Sequence, residues 1–365
     1  MNREIVQKDA LKIALNHKRC GLAISMGVGK TRIALQHLLY NYDPFIKALV
    51  VIPKLSVKES WENELIKMGN NIVNSHLTFT TYLSLSKQDF NYFDIVYLDE
   101  CHNLLETHSE FLSNFKGKIL GLTGTPPKYN DSEKGKMVNK YCPIKYTFTI
   151  DEATNSKILN DYQIVVHELE LSKLLTLKKE KKSGGHWWTS EKKDYEYVTT
   201  KCGEAQSMKA KQLTAIMRMR ALMEYETKED YVKSLLPNLN SKCIIFANTQ
   251  KQADKLSKHS YHSGNSNNEE NLQLFSDDKI DKLSCVLQLS EGVTIPNLKQ
   301  GIIMHAYGNE RKSAQRIGRL LRLNPKEKAT CHILCYKNTQ DELWVKTTLK
   351  DFDSNKIKYY NPLSK

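Results

Sequence analysis

The chain has 365 residues, 40% hydrophobic and 26% charged, with a formal net charge of +13 and an isoelectric point near 9.1. Its length allows two ordinary cores, at about 150 residues each. A membrane-spanning helix needs about 18 consecutive apolar residues, and no such run occurs, so the expectation is a soluble, cytoplasmic protein, in the host cytoplasm for a viral one. The basic excess points to a polyanionic partner bound through counterion release, with a solvated lysine-rich surface as the alternative source of the charge.

Taken in chain order, apolar runs at 21–25, 48–53, 77–82, 93–99 and 118–123 predict buried strands separated by helical patterns. Runs at 163–171, 243–248, 285–290, 301–306 and 330–336 repeat the arrangement in the second half. Short apolar strands alternating with helices make a parallel sheet covered on both faces. The fold class expected is therefore α/β, with two tandem doubly wound domains at 1–150 and 151–365. The join is read near 145–160, where Thr147-Phe148-Thr149-Ile150 gives way to polar residues. Residues from about 172 to 240 break the alternation and read as an insertion in the second domain. Eight scattered cysteines, mostly inside apolar runs, suit buried free thiols in a reducing compartment. Cys331 and Cys335 lack the second pair that a structural zinc site needs.

Met26-Gly27-Val28-Gly29-Lys30-Thr31 lies between a buried strand and a helix. Amides of a glycine turn and a helix N-terminus can cradle phosphates there, with Lys30 on the β/γ oxygens of ATP and Thr31 on Mg2+. Asp99-Glu100-Cys101-His102 follows an apolar run, so its acids fall at the carboxyl end of a strand, where open parallel sheets bind ligands. Asp99 is the second Mg2+ candidate, and Glu100 the group that orients and deprotonates the attacking water. In Gln315-Arg316-Ile317-Gly318-Arg319-Leu320-Leu321-Arg322, Arg319 and Arg322 share one helical face. Their planar, permanently charged forks suit a γ-phosphate in transfer.

Together these segments resemble a superfamily 2 helicase of the DExH type, over nearly the whole chain and in the family's motif order. Motif I resembles 26–31; motif Ia, Val51-Ile52-Pro53-Lys54; motif Ib, Thr80-Thr81-Tyr82; motif II, 99–102; motif III, Leu122-Thr123-Gly124-Thr125-Pro126. Ile244-Ile245-Phe246-Ala247-Asn248 is similar to motif IV, 290–296 to motif V and 315–322 to motif VI. Motifs I and Ia are similar to those of Swi/Snf-type duplex translocases, whereas 156–162 and the Glu291-Gly292 of motif V are closer to phage UvsW helicases. Thr294 stands where many members have aspartate. The resemblance implies two RecA-like domains that hydrolyse ATP with Mg2+. Gln7 would read adenine, although Glu4 replaces an arginine often found beside it in related helicases. Thr123, Thr125, His102, Glu291 and Gly292 would couple nucleotide state to motion, with His102 facing Gln315.

The function implied is an ATP-dependent DNA helicase or translocase. The alternatives are a duplex remodeller without strand separation, an RNA helicase, and an ATP-switched clamp. DNA, single-stranded or branched, is the expected partner, with an accessory protein as a further possibility and no membrane. Candidate nucleic-acid contacts are Lys54, Thr80, Thr81 and Asn248. Motif I begins within 30 residues of the start and 43 residues follow Arg322, so the sequence reads as a nearly bare motor. Gly184-Gly185-His186-Trp187-Trp188-Thr189, followed by Tyr195-Glu196-Tyr197-Val198, predicts an aromatic hairpin. Trp187 and Trp188 either stack on a base or pack the insertion onto its domain.

Overall fold

A computed structural model of the chain describes residues 2–69, 75–180, 184–286, 295–306, 328–350 and 352–362. These fall into two compact units, the first within Met1–Asp161 and the second beginning at Tyr162.

The first unit is built on β1 (Arg19–Ile24), β2 (Ala48–Ile52), β3 (Leu77–Thr81), β4 (Ile95–Asp99), β5 (Lys118–Thr123) and β6 (Ile144–Phe148). They form a six-stranded sheet in the order β3-β2-β4-β5-β1-β6, with every pairing parallel. Its helices are α1 (Arg3–Leu15), α2 (Lys30–Tyr40), α3 (Lys58–Lys67), α4 (Ser109–Asn114), α5 (Glu133–Tyr141) and α6 (Ile150–Asn155). Parallel strands covered on both faces must be apolar throughout, and β2 and β4 are buried along their whole length. Leu49, Val51 and Leu98 pack there against Phe111, Phe115, Met137 and Tyr141 from the helices.

Two features of this unit depart from the sequence reading. Ile144-Lys145-Tyr146-Thr147-Phe148 forms the edge strand β6, whose alternating burial makes its apolar signal weak. The polar stretch after it is a helix, because Thr149 caps α6: its Oγ1 accepts from the Glu152 amide at 3.2 Å, and the Glu152 carboxylate accepts from the Thr149 amide at 2.6 Å. Buried Ala153, Ile158 and Leu159 keep that segment with the first unit as far as Asp161.

The second unit carries a seven-stranded sheet of β7 (Asp161–Leu169), β10 (Cys243–Ala247), β11 (Ser260–Tyr261), β12 (Lys282–Val286), β13 (Gln300–Ile303), β14 (Lys328–Tyr336) and β15 (Ile357–Tyr360), in the order β11-β12-β10-β13-β14-β7-β15. A separate antiparallel hairpin is made by β8 (Leu177–Glu180) and β9 (His186–Thr189). Helices α7 (Glu191–Glu204), α8 (Met208–Glu224), α9 (Thr227–Leu235), α10 (Gln250–Leu256), α11 (Asn268–Ser276) and α12 (Gln340–Leu349) complete it. Strand β12 begins three residues before the expected 285–290, because the buried Ser284 hydroxyl satisfies itself on the Ala253 carbonyl at 2.7 Å and so fits an apolar sheet. Tyr195 and Tyr197, which suit a strand by type, are helical instead. Ser190 caps α7 by accepting from the Lys193 amide at 3.2 Å.

Two buried polar clusters tie elements of this unit together. The Lys228 ammonium, fully buried, donates to Asp341 at 2.5 Å and to the Met304 and Leu334 carbonyls at 2.8 and 3.1 Å. His167 contacts Tyr231 Oη at 2.7 Å through Nδ1 and His332 Nδ1 at 2.9 Å through Nε2. Burial lowers the pKa of each histidine to about 4, and for His167 the nearby His332 adds to it. An unfolded histidine titrates near 6.5. Between these values the unfolded chain binds protons that the folded chain refuses, so stability is whole above about pH 6.5 and falls as pH drops toward 4. We expect His332→Gln to reduce the loss of unfolding free energy between pH 7 and pH 5, measured by urea titration. A loss equal to that of the parent chain would show that the pair does not carry this dependence.

Candidate functional site

Strands β4, β5 and β1 are neighbours in that order, with Asp99 beside Leu122 and Ala23 beside Thr123. Their carboxyl ends therefore release segments 25–29, 99–102 and 123–126 side by side at one edge of the sheet. This is where parallel α/β sheets bind ligands.

Helix α2 starts at Lys30 from a backbone turn that only glycine takes comfortably, with Gly27 at φ +84° and Gly29 at φ +106°. No side chain caps α2 and its first turn holds no acid, so the positive helix end faces outward without an anion from the protein. Buried Ser25 Oγ and Thr125 Oγ1, on the flanking segments, have no protein hydrogen-bond partner among the described residues. The turn is held from behind by α1. Gln7 Nε2 and Arg3 Nε, one helical turn apart, both donate to the Val28 carbonyl, at 2.7 and 3.0 Å.

Lys30 Nζ lies 3.7 Å from Glu100 Oε1, with both side chains largely buried. Glu100 adopts φ +53°, a conformation that costs a non-glycine residue and is concentrated at functional sites. Its other oxygen accepts from Thr123 Oγ1 at 3.4 Å and lies 3.3 Å from His102 Nδ1. That same His102 nitrogen is 2.8 Å from Thr123 Oγ1, which also accepts from the Thr125 amide at 3.1 Å. Asp99 is held by Trp61, whose Nε1 donates to Oδ2 at 3.0 Å, and by Tyr82, whose hydroxyl donates to its carbonyl at 2.8 Å. Burial, with Glu100 beside it, raises the Asp99 carboxyl to about 6, against the opposing pull of the Trp61 hydrogen bond and Lys30.

The structure thus brings together Gln7, Gly27, Gly29, Lys30, Thr31, Asp99, Glu100, His102, Thr123 and Thr125 within one unit. Gln315, Arg319, Arg322, Glu291 and Gly292 lie outside the described residues. A cleft of about 400 Å3 is lined by Pro53, Lys54, Tyr82 and Asn103 and adjoins the cluster through Tyr82, whose hydroxyl holds the Asp99 carbonyl. Lys54 is exposed at its rim; Thr80 is buried in β3, so Thr81 alone of that pair offers surface. Asn248, in the second unit, ends β10 with its side-chain amide unpartnered among the described residues. Trp187 and Trp188 are exposed on the hairpin. Sequence reasoning missed Arg3, Trp61 and Tyr82 as supports. The i, i+4 spacing of Arg3 and Gln7 was the available signal for the first.

Residues 1–128 match the family model of the type III restriction enzyme res subunit, and residues 227–324 that of the helicase conserved C-terminal domain. The chain is 25% identical over 364 residues to the DNA 3′-5′ translocase XPB2 of Sulfurisphaera tokodaii, covering 92% of this chain and 82% of that one. Among solved structures, its fold is similar to the ATP-dependent Type ISP restriction-modification enzyme LlaBIII bound to DNA, with a TM-score of 0.64 and 15% identity over 98% of this chain. The chain spans 31% of that enzyme's length. It is also similar to S. cerevisiae Dbp5 bound to RNA and ADP BeF3, with a TM-score of 0.61 and 14% identity, over 98% of this chain and 89% of that one. The fold is that of tandem RecA-like helicase domains. No described helix is long and apolar enough to cross a membrane.

The turn at Gly29 makes a direct test of this geometry. A Cβ there would sit 2.5 Å from Gln7 Nε2 and 3.0 Å from Arg3 Nη2. Gly29→Ala should cost about 1–2 kcal/mol through its left-handed backbone alone, or roughly tenfold in an affinity that depends on the turn. Thermal unfolding and an ATP titration measure the two effects, and a variant that binds ATP like the parent chain would contradict the clamp.

Proposed function

We propose that this chain, a superfamily 2 nucleic-acid-dependent ATPase by its two domain matches, is an ATP-driven DNA translocase of the DExH type. The observation that carries the reading is the uncapped start of α2, with Lys30 3.7 Å from Glu100 at the carboxyl end of a parallel sheet.

The residues fit a nucleoside triphosphate with its metal. The glycine turn and free amides of α2 suit phosphate oxygens, and the unpartnered hydroxyls of Ser25 and Thr125 add donors. Mg2+, held by Thr31 and Asp99, would neutralise charge on the β and γ phosphates. Lys30 would bind those phosphates, leaving Glu100 to orient and deprotonate water. The strained backbone of Glu100 and its contacts to Thr123 and His102 fix its carboxylate for that task. Gln7 and Arg3 hold the phosphate turn through Val28, so Gln7 can link adenine to that turn. Thr123 joins Glu100, His102 and Thr125 in one network, which suits it to transmit nucleotide state. Arg319, Arg322 and Gln315 of motif VI would serve hydrolysis, and Glu291 and Gly292 of motif V would couple nucleotide state to motion.

DNA is favoured over RNA by the translocase to which nearly the whole chain is similar, and by motifs I and Ia. Lys54, Thr81 and Asn248 would contact its backbone, so sequence preference should be weak. The same relative favours movement along DNA over strand separation as the basic activity, with a UvsW-like helicase as the finer alternative.

ATP turnover measured without nucleic acid and with single-stranded DNA, duplex, branched DNA and RNA tests the reading. We expect DNA to stimulate it most, and Lys30→Ala and Glu100→Gln each to lower stimulated turnover more than tenfold, about 1.4 kcal/mol of barrier. Turnover near the parent rate in Lys30→Ala, or no response to any nucleic acid, would refute it.

A further inference from the structure

Among the described residues, the β8–β9 hairpin carries large aromatic side chains that packing leaves open: Trp187 is 44% and Trp188 54% exposed. The register sets Lys178 opposite Trp188, Lys179 opposite Trp187 and Glu180 opposite His186. Directly opposed residues share a face, and faces alternate along the strand. One face therefore holds Leu177, Lys179 and Trp187. It turns toward the helices, since Leu177 packs with Leu169, Val198 and Tyr336, and Lys179 Nζ meets Asp194 at 2.9 Å. The opposite face holds Lys178, Trp188, Glu180 and His186, with the His186 and Trp188 rings edge-to-face at 6.2 Å.

The base of this hairpin is tied by hydrogen bonds. The buried Glu191 carboxylate accepts from the Ser172 and Thr227 amides, each at 3.0 Å, and from Thr227 Oγ1 at 2.7 Å. Asp194 accepts from Tyr225 Oη at 3.0 Å, and Arg218 reaches Gln340 at 2.9 Å. An exposed tryptophan on a fixed mount, with a lysine as cross-strand neighbour, loses little conformational freedom when something stacks on it.

The surroundings indicate what that is. Residues 172–180 and 184–224 hold ten Lys and Arg against six Asp and Glu. Two of those six, Glu191 and Asp194, are buried and already engaged. The exposed remainder is basic, which complements a polyanion rather than an acid-neutral protein surface. Flat rings interleaved with lysines are how single strands are gripped without regard to sequence.

We propose that Trp188, flanked by Lys178 and His186, is a stacking platform for an unpaired base of a single-stranded nucleic acid. The proposal rests on the DNA-translocase reading and adds a contact on the hairpin, away from the family's motifs. Trp187 lies on the same face as Leu177 and Lys179.

The test uses the full chain and a fluorescent oligothymidylate, followed by anisotropy. Trp188→Ala should weaken binding about 5- to 150-fold, the range that stacking of one base supplies, with an unchanged melting temperature. Trp188→Phe, which keeps a ring, should recover most of the affinity and covers the case in which the alanine variant misfolds. A 5-iodouracil oligonucleotide should photocrosslink to the 186–189 peptide in the parent chain. Unchanged affinity in Trp188→Ala, equal losses for the alanine and phenylalanine variants, or crosslinks confined to other peptides would overturn the proposal and leave the tryptophan to a protein partner. If the parent ATPase ignores DNA, the functional reading fails first; if DNA stimulates the parent and Trp188→Ala still binds the strand normally, only the stacking platform fails.

Discussion

Two carboxylates released side by side from the end of β4 set the terms for the first unit. Asp99 is buried, Glu100 nearly so, and burial first, with the neighbouring Glu100 charge second, raises the Asp99 carboxyl toward neutrality. What keeps the pair in place is a ring of donors from elements far apart in sequence: Lys30 from α2, Trp61 from α3, Tyr82 after β3 and Thr123 from β5. Trp61 and Thr123 hydrogen-bond the carboxylates themselves, a kind of bond that contributes about 1.5–3 kcal/mol, while Lys30 adds an ion pair and Tyr82 holds the Asp99 backbone carbonyl.

The second unit solves a related problem for a structural end. Lys228 and Asp341 are buried together; the ammonium also donates to the Met304 and Leu334 carbonyls, and Asp341 Oδ2 also accepts from the Tyr336 amide. Glu191 and Asp194 likewise sit buried at the start of α7, each with two or more donors. These pairs tie the insertion to the sheet without requiring a large apolar face of its own. Such ties hold geometry more than they add stability, since desolvation cancels much of the Coulomb gain. They allow the hairpin to extend outward while its base stays fixed.

The parallel sheets were legible because buried strands of this class are continuous apolar runs, and β2, β4 and β10 have almost no polar interruption. The glycine turn before α2 and Asp99-Glu100 at the end of β4 were legible for a different reason: a glycine-rich turn and paired acids after an apolar run are distinctive residue patterns. Edge strand β6 and the two-residue β11 escaped notice because half of their positions face solvent or their span is too short to show a period. Arg3, Trp61 and Tyr82 were hidden because a supporting role depends on which distant elements the topology makes adjacent, and local patterning does not encode that adjacency. Ser284 inside β12 and the capped α6 show the same limit, since a single hydrogen bond reverses what polarity alone suggests.

The exposure of Trp188 follows from that division of labour. Burying a tryptophan removes on the order of 200 Å2 from water, about 5 kcal/mol at about 25 cal/mol per Å2, so a chain gains by covering one wherever a cavity permits. Here the neighbouring core is already closed around Tyr225 and Tyr336, and Lys179 on the inward face is committed to Asp194. The strand alternation that sends Leu177 and Lys179 inward then leaves Trp188 no route but outward. Its exposure thus follows from the strand register and from the buried acids at the start of α7, which engage Lys179 on the opposite face of the hairpin.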